Sequence, residues 1–546
     1  MRVLPVNQRA LLIELSDLAE TQRLFSHLQS DPVEGVTRIV PAARTLLLSF
    51  NPIRVEASEL ARTLYRRHAA PSPERAGSDE SEAGARIEIP VYYHGEDLDA
   101  VAEMLGIAPS EVIRRHCERD YRVAFCGFAP GFAYLSGGAD FEVPRRETPR
   151  TRIPEGAVAL AGNFSGVYPT DSPGGWQLIG VTPKRMWDIN REPAALLQPG
   201  MRVRFTPLKA PFEAPEPACT PSEEKTPQAP AVLEVLTPGL QSLFQDLGRE
   251  GQTHQGVSAS GAMDRGALRS ANRMVGNPPE AAALEIAQGG LSLYCHRPAI
   301  VALSGAELAV TLETAEGERH ALAPWQPIEL SPGDTLTLGA PTAGVRSYLA
   351  LRGGFAVTPV LGSCATDTLA RLGPAPLARG DRLGAAHLPL TSLALDEAPA
   401  FPLPRPGECV SLDIVMGPRS DWFTDRALER LTEQSWQVTP QSNRVGLRLA
   451  GETALERAVT DELPSEGTVA GALQVPASGQ PVLFLADHPL TGGYPVIACV
   501  ADHHLDLAGQ VPVNATLRFN PLTRFAPLES EHRTSRARNP GRSRHE

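Results

Sequence analysis

The residues best suited to chemistry in this chain sit in two short stretches of one design. Residues 486–498 read ADHPLTGGYPVIA: Asp487 stands four residues before Thr491, and Gly492 and Gly493 lead into Tyr494. Residues 170–180 read TDSPGGWQLIG, with Pro173, Gly174 and Gly175 leading into Trp176. Successive N–H groups at a Gly-Gly turn form a concave nest for an anion. A carboxylate lining the same pocket would be held apart from a phosphate unless a proton or metal intervenes, which makes Asp487 a candidate general acid or base. Its replacement by asparagine is then expected to cut turnover by orders of magnitude and leave the melting temperature within a few degrees.

Three further stretches offer binding chemistry. Residues 127–138 read GFAPGFAYLSGG, in which Gly127, Pro130 and Gly131 alternate with Phe128, Phe132 and Tyr134. Glycine lets backbone N–H groups come close to a ligand, and aromatic rings wall a planar one. The same pattern also describes a tight turn whose rings belong to the core. Residues 148–162 read TPRTRIPEGAVALAG. Strand alternation puts Arg150 and Arg152 on one face, where two guanidiniums would clamp a phosphate or carboxylate, or would line a solvated strand edge. Residues 253–277 read THQGVSASGAMDRGALRSANRMVGN, a polar lead into helical spacing. Ser260 or Asp264 would cap that helix, and the free N–H groups of its first turn would favour an anion.

Other chemistries are set aside. There is no GxxxxGK[ST] nucleotide loop and no GxSxG elbow. Asp502, His503 and His504 could bind a metal, but adjacent histidines project differently and no second cluster accompanies them, so no metal site is assigned. Cys126 has no basic partner nearby and reads as a buried apolar residue.

Loops of this kind need a rigid frame, and the chain repeats one. EGAVA (155–159), SG (165–166), GGW (174–176) and RFTPL (204–208) recur in order as EGTVA (466–470), SG (478–479), GGY (492–494) and RFNPL (518–522). The interval is far too long for a solenoid, so a duplicated domain is expected. Short alternating runs such as AELAVTLET and DTLTLG, edged by turn residues, read as strands. DLDAVAEMLG and APSEVIRRHCERD read as helices, the second capped by Ser110. The boundaries follow from two acidic, proline-bearing segments. Residues 1–85 form a small α+β unit ending in a linker, and 86–209 a β-rich domain. Residues 210–230 are a second linker, 231–526 a long β-rich half, and 527–546 a disordered basic tail. The fold class is mainly β with α+β parts.

Bulk properties narrow the function classes. The net charge of −12 argues against nucleic-acid binding. Seven scattered cysteines without a CxxC point to a reducing compartment and no disulfide framework. No apolar run approaches the ~20 residues that span a bilayer, and the start lacks a signal-peptide pattern. A cytoplasmic protein, possible as an oligomer, is expected.

The longer stretches carry a family resemblance. GFAPGFAYL, TPRTRIPEGAVALAG, YPTDSPGGWQLIG and LLQPGMRVRFTPL resemble the B subunit of bacterial ATP-dependent 5-oxoprolinase, the family of the sporulation kinase inhibitor and of allophanate hydrolase subunit 1. LTPGLQSLFQDLGREGQTHQGVSASGAMDRGALRSANRMVGNPPEAAALEIAQGG, LRGGFAVTPVLGSCATD and SEGTVAGALQVPASGQPVLFLADHPLTGGYP resemble the C subunit, or allophanate hydrolase subunit 2. The same pair forms the carboxyltransferase part of urea carboxylase. The resemblance implies duplicated cyclophilin-like β-barrel modules, one in 86–209 and a tandem pair in 231–526, and a separate LamB/YcsF-type A subunit as partner. It implies opening of 5-oxoproline to glutamate driven by ATP, with Mg. Asp487 and Asp264 are then the candidate catalytic carboxylates. Arg150, Arg152, Pro173, Gly174, Gly175, Trp176, Ser260, Thr491, Gly492, Gly493 and Tyr494 are candidate substrate or nucleotide contacts. His254 and Gln474, polar residues within the matching stretches, join them, and Gly127, Phe128, Pro130, Gly131 and Phe132 line the loop. The alternatives are a biotin-dependent carboxyltransferase acting on urea or a similar amide, which needs a separate biotin carrier, and a kinase-regulating binding protein. Two departures stand out: Leu490 replaces a second threonine, and QVPVNATLRF lacks the usual PGD turn.

Overall fold

The computed structural model describes residues 1–70, 86–138, 141–146, 148–212 and 230–529. Nearly all of both expected linkers, and the tail beyond residue 529, lie outside the described residues.

The first unit is a four-stranded antiparallel sheet of β1 (Arg2–Asn7), β2 (Ala10–Glu14), β3 (Val36–Pro41) and β4 (Thr45–Phe50), in the order β1-β2-β4-β3. Helices α1 (Leu18–Ser30) and α2 (Ala57–Ala69) cover one face. Asp17 caps α1 by accepting the Glu20 N–H at 2.8 Å. The central strands read as unbroken apolar runs because both faces are buried. Leu11, Ile13, Leu46 and Leu48 pack under the helices. Leu4, Leu12, Val40 and Leu47 pack instead against Val469, Phe484, Leu490 and Val496 near the other end of the chain. Leu528 pairs with Val3. The expected tail therefore starts too early at 527: Leu528 is docked on the N-terminal core because an apolar side chain there completes its cluster.

The second unit is built from β5 (Ile87–Val91), α3 (Leu98–Leu105), α4 (Pro109–Glu118), β6 (Tyr121–Cys126), β7 (Ala133–Ser136), β8 (Arg150–Ile153), β9 (Ala157–Ala161), β10 (Phe164–Val167), β11 (Ser172–Gly174), β12 (Gln177–Val181) and β13 (Arg202–Pro207). Seven strands run β12-β9-β10-β7-β6-β13-β5, and a bridge between Tyr92 and Val181 brings the end of β5 back to β12. β8 and β11 form a separate ribbon. Ser110 is not the cap of α4; Pro109 opens the helix after Ala108, its fixed φ suiting the first turn.

The third unit is one nine-stranded sheet. Its strands are β14 (Ala231–Pro238), β15 (Gln241–Gln245), β16 (Ala283–Ala287), β17 (Leu291–Cys295), β18 (Ala299–Glu313), β19 (Arg319–Leu322), β20 (Pro327–Leu330), β21 (Thr335–Leu351) and β22 (Arg382–Gly384). Helix α5 (Arg265–Met274) packs on β18 and β21.

The fourth unit is a closed barrel. It contains β23 (Cys409–Met416), α6 (Asp425–Glu433), β24 (Trp436–Val438), β25 (Gly446–Ala450), β26 (Glu466–Gly467), β27 (Ala472–Gln474), β28 (Val482–Phe484), β29 (Thr491–Gly492), β30 (Val496–Val500), α7 (Leu505–Gly509) and β31 (Thr516–Thr523). Its ring order, β23-β30-β27-β28-β25-β24-β31, matches the second unit strand for strand, starting from β5-β12-β9. In both, the first strand pairs with the last in parallel, β5 with β13 and β23 with β31. Both also set aside a two-stranded ribbon, β8–β11 and β26–β29. Two of the repeated words fall at equivalent places, GGW and GGY at the ends of ribbon strands β11 and β29 and RFTPL and RFNPL in closing strands β13 and β31. EGAVA and EGTVA, and the two SG pairs, do not correspond, since EGAVA opens β9 and its SG lies in β10 whereas EGTVA covers β26 and its SG precedes β28. Among the described residues no helix is long and apolar enough to cross a membrane.

Candidate functional site

The two barrels meet through the glycine-rich loop after β6. Gly127 lies so close to Thr491 that a Cβ on it would stand 2.4 Å from the threonine Oγ1. The Phe128 N–H donates to that same Oγ1 at 3.0 Å. On the other side of the loop, Gly131 N–H donates to the Gln255 carbonyl at 2.8 Å, and Gln255 Oε1 accepts the Ala195 N–H at 2.9 Å. Gly256, with φ of +79°, is pressed against the Ala129 carbonyl. The loop is thus clasped between the closing barrel and the start of the third unit. Its rings belong to the core. Phe132 and Tyr134 are buried, and Trp176 packs edge-on to Phe132 at 5.2 Å and to Tyr134 at 5.4 Å. Trp176 is therefore a core residue and not a ligand wall. Pro130 and Gly131 are buried too, and Phe128 and Ala129 reach partway to solvent.

The two double-glycine segments approach the same junction. Arg146 N–H donates to the Gly175 carbonyl at 2.8 Å, while the neighbouring Arg145 guanidinium lies against Gly493 and pairs with Glu462 at 2.8 Å. One dipeptide therefore touches both. The expected nests do not form: none of the four glycines has a left-handed φ, because Gly174 and Gly492 are drawn into the ribbons opposite Arg150 and Glu466. Pro173 stands exposed on its ribbon. Gln474 does join the tyrosine-bearing turn, donating from Nε2 to the Tyr494 carbonyl at 3.2 Å. Tyr494 is 41% exposed, with the Arg457 guanidinium 5.7 Å from its ring centre.

The two arginines do not form a clamp. Arg150 is held by Asp97 and Glu96 at 2.9 Å, and Arg152 by Asp171 at 2.6 Å. Burial alone would raise the Asp97 carboxyl, but Arg150, the Leu178 N–H and Arg146 outweigh it and hold it low. The acids that neutralise these guanidiniums come from a preceding loop and from the turn before β11, which strand alternation does not reveal.

Asp487 is not beside Thr491 on a pocket wall. It is wholly buried beneath it, where five donors converge. Arg444 donates from Nε and Nη2, both at 3.0 Å, Ser260 Oγ at 2.6 Å, and Thr368 from its N–H at 2.8 Å and its hydroxyl at 2.7 Å. Burial works against the charge, yet Arg444, the Ser260 hydroxyl and the Thr368 N–H keep this carboxyl below the ordinary range. Arg444 also binds Glu285, which accepts from the Tyr348 hydroxyl at 2.7 Å. Nearby Asp367 is pushed up to about 6 by burial and by Asp487.

Asp264 caps α5, accepting the Ala267 N–H at 2.8 Å, and takes a second bond from Gln510 Nε2 at 2.8 Å. Burial and the adjacent Asp506 push it up to about 7. The anion expected at this helix start is supplied internally: Asp506 accepts the Arg265 and Gly266 N–H groups, both at 3.0 Å. His254 is exposed, its Nδ1 held by the Gly251 carbonyl at 3.1 Å.

Two residues that sequence reasoning passed over also belong to the junction. His488 is 4% exposed, and burial lowers its pKa to about 4, so the ring is neutral. Its Nδ1 lies 2.9 Å from the Pro489 carbonyl, an acceptor, which places the proton there and leaves Nε2 a lone pair. Arg38 on β3 shares a face with Val40, which packs on Leu490 and Phe484. Its Nε donates to Ser49 Oγ at 3.3 Å, and no carboxylate among the described residues forms an ion pair with it. The signal for Glu285 was legible: a lone carboxylate inside ALEIA must find a buried partner.

Residues 1–197 match the family described as carboxyltransferase domain, subdomain C and D, and residues 255–521 match carboxyltransferase domain, subdomain A and B. The chain is 35% identical to the C subunit of 5-oxoprolinase from Escherichia coli over 291 residues, covering 53% of this chain and 90% of that protein. It is 36% identical to the B subunit of 5-oxoprolinase from Haemophilus influenzae over 215 residues, 38% of this chain and 97% of that protein. The crystal structure of TTHA0988 superposes with a TM-score of 0.80 at 36% identity, over 94% of this chain and 99% of that one. The chain belongs to the carboxyltransferase-domain family and fuses in one polypeptide a half similar to the B subunit of 5-oxoprolinase and a half similar to its C subunit.

Proposed function

We propose that this chain is the fused B–C component of an ATP-dependent 5-oxoprolinase. It would act with a separate LamB/YcsF-type A subunit to open the lactam to glutamate, in the cytoplasm. The observation that carries the reading is the clasp between the two halves. The loop at 127–131 of the B-like half is bonded to Thr491 and Gln255 of the C-like half, so both halves share one junction.

A five-membered lactam is a stable amide, so its opening needs the energy of ATP. Phosphorylation of the amide oxygen makes the carbonyl carbon reactive, and the developing charge needs fixed donors. In this reading the Arg38 guanidinium, which forms no ion pair among the described residues although the charge of Glu250 acts on it, receives the substrate carboxylate. The neutral His488 offers Nε2 as proton acceptor, and Gln474 and Tyr494 border the substrate. Asp487 and Asp264 serve by holding Ser260, Thr368, Arg444 and the start of α5 in place. Among the described residues, Asp171 and Glu462 at the junction are already paired, with Arg152 and Arg145, so these two offer Mg no free ligand. The ion would arrive on the nucleotide phosphates.

The family description favours a second reading, carboxyl transfer from carboxybiotin to urea or a similar amide. One assay separates them. The purified chain, mixed with its A-type partner, ATP and 5-oxoproline, is expected to release glutamate and ADP, and the chain alone to show little turnover. Carboxylation of urea with a loaded biotin carrier, and no glutamate release, would overturn the first reading in favour of the second.

A further inference from the structure

The paired histidines that looked isolated in the sequence acquire a third ligand in the fold. His503 and His504 lie on a 3₁₀ turn (Asp502–His504), their ring centres 4.4 Å apart. Both rings sit over the outer face of β23, where Cys409, Ser411 and Asp413 alternate with the buried Val410 and Leu412. His503 Nε2 is 2.9 Å from Asp413 Oδ2, and His504 Nδ1 is 3.8 Å from the same oxygen. One ligand atom from each residue lies within 4.8 Å of the others. Tetrahedral zinc with nitrogen and oxygen at about 2.0–2.2 Å sets its ligand atoms about 3.3 Å apart, between the two separations seen here.

The carboxylate is also aimed. Asp413 and Asn520 are directly paired across the parallel β23–β31 register, and Asn520 Nδ2 donates to Asp413 Oδ1 at 2.8 Å. That bond turns Oδ2 toward the imidazoles, the arrangement by which an outer amide orients a metal-binding carboxylate. The rings border a cavity of about 510 Å³, also lined by Glu408, Ser411 and Asp506, with room for water on the remaining coordination positions. One feature competes: His504 Nδ1 accepts the Asp413 N–H at 2.9 Å, so a metal must displace a backbone donor at that nitrogen.

We propose that Asp413, His503 and His504 form a binding site for one divalent ion of the zinc class, pinning the 502–504 turn to β23. The inference is independent of the reaction assigned to the junction. Two imidazoles with one carboxylate select borderline ions such as Zn²⁺ over Mg²⁺ or Ca²⁺, which require oxygen ligands. The same turn receives the N-terminal unit, since Arg9 Nε pairs with Asp502 Oδ2 at 2.5 Å. The ion would therefore stiffen the seat of the first sheet.

The test is calorimetric titration of the full, tag-free chain with zinc chloride, with circular dichroism to verify folding of each variant. Wild type is expected to take one saturable equivalent at micromolar concentration and to gain several degrees in melting temperature. His503→Ala and Asp413→Asn should each weaken binding at least about tenfold, and Asn520→Ala by a smaller factor. His504→Ala should cost less than His503→Ala, because its nitrogen is shared with the backbone. Equal stoichiometry and affinity in the His503→Ala/His504→Ala double variant would overturn the proposal, as would absence of saturable binding below about 100 μM in wild type.

Discussion

Replacing Asp487 by asparagine preserves the size of the side chain and removes its charge. In the structure its carboxylate receives five hydrogen bonds and is completely enclosed, and Arg444 is only 2% exposed. An amide accepts at one atom only, so its NH₂ would face the guanidinium or the Thr368 N–H, donor against donor. Arg444 would keep Glu285 but lose half of its countercharge. Breaking a buried pair from one side costs about 3–5 kcal/mol. At about 2–4 °C per kcal/mol for units of this size, the melting temperature should fall by about 6–20 °C. The assay is urea denaturation followed by tryptophan fluorescence, with thermal denaturation alongside. Arg152→Gln serves as control, since its pair with Asp171 has side chains 78% and 34% exposed; its shift should stay within about 1 kcal/mol. Adding Arg444→Met to Asp487→Asn should cost less than the two single losses together, because both remove one contact. An Asp487→Asn protein melting within about 2 °C of wild type would refute this account and return Asp487 to the role of a reacting acid.

Gly127→Ala drives a methyl group into Thr491 and should destabilise the contact between the halves by about 1–3 kcal/mol; adding Thr491→Ala, which vacates that space, should recover part of the loss in the same denaturation assay. Asp264 and Asp367 both titrate above the unfolded value, near 7 and 6, so the stability they contribute is full below about pH 4 and is lost as pH rises through those values. Each adds a slope of about 1.4 kcal/mol per pH unit in that window, which Asp367→Asn should reduce; a pH–stability profile identical to wild type would count against it. Asp487, held low, contributes oppositely, and its share is lost only in more acidic solution. In the reconstituted reaction Arg38→Gln should raise KM for 5-oxoproline at least about tenfold with kcat nearly unchanged, and an unaltered KM would remove Arg38 from carboxylate recognition.

Although the EGAVA and SG matches fall on different elements in the two barrels, the duplicated barrel was legible through GGW and GGY at the ribbon ends and RFTPL and RFNPL in the closing strands, whose features are local. The α5 cap at Asp264 was legible for the same reason. Partner identity was not. Asp487, read from its spacing to Thr491, is turned inward by Arg444, a residue whose own neighbourhood gives no sign of burial. Arg150 and Arg152 alternate as a clamp should, yet Asp97 and Asp171 arrive from other segments and neutralise them. The glycine pairs lost their nests to ribbon pairing, a tertiary decision that composition does not encode. Asp413 lies about ninety residues before His503, and only the antiparallel pairing of β23 with β30, Ile414 opposite Val500, brings them together.

The pairing of Leu528 with Val3 bears on how this polypeptide emerges from the ribosome. The lower face of the first sheet, with Leu4, Leu12, Val40 and Leu47, is completed within the opening fifty residues, but its cover is encoded at 469–496. At about 5–20 residues per second, that greasy surface waits about twenty seconds to a minute and a half for its lid. Slowed translation or truncation before the last barrel should therefore present a sticky half-sheet to chaperones, and severing the chain between its halves would turn an intramolecular closure into a concentration-dependent search.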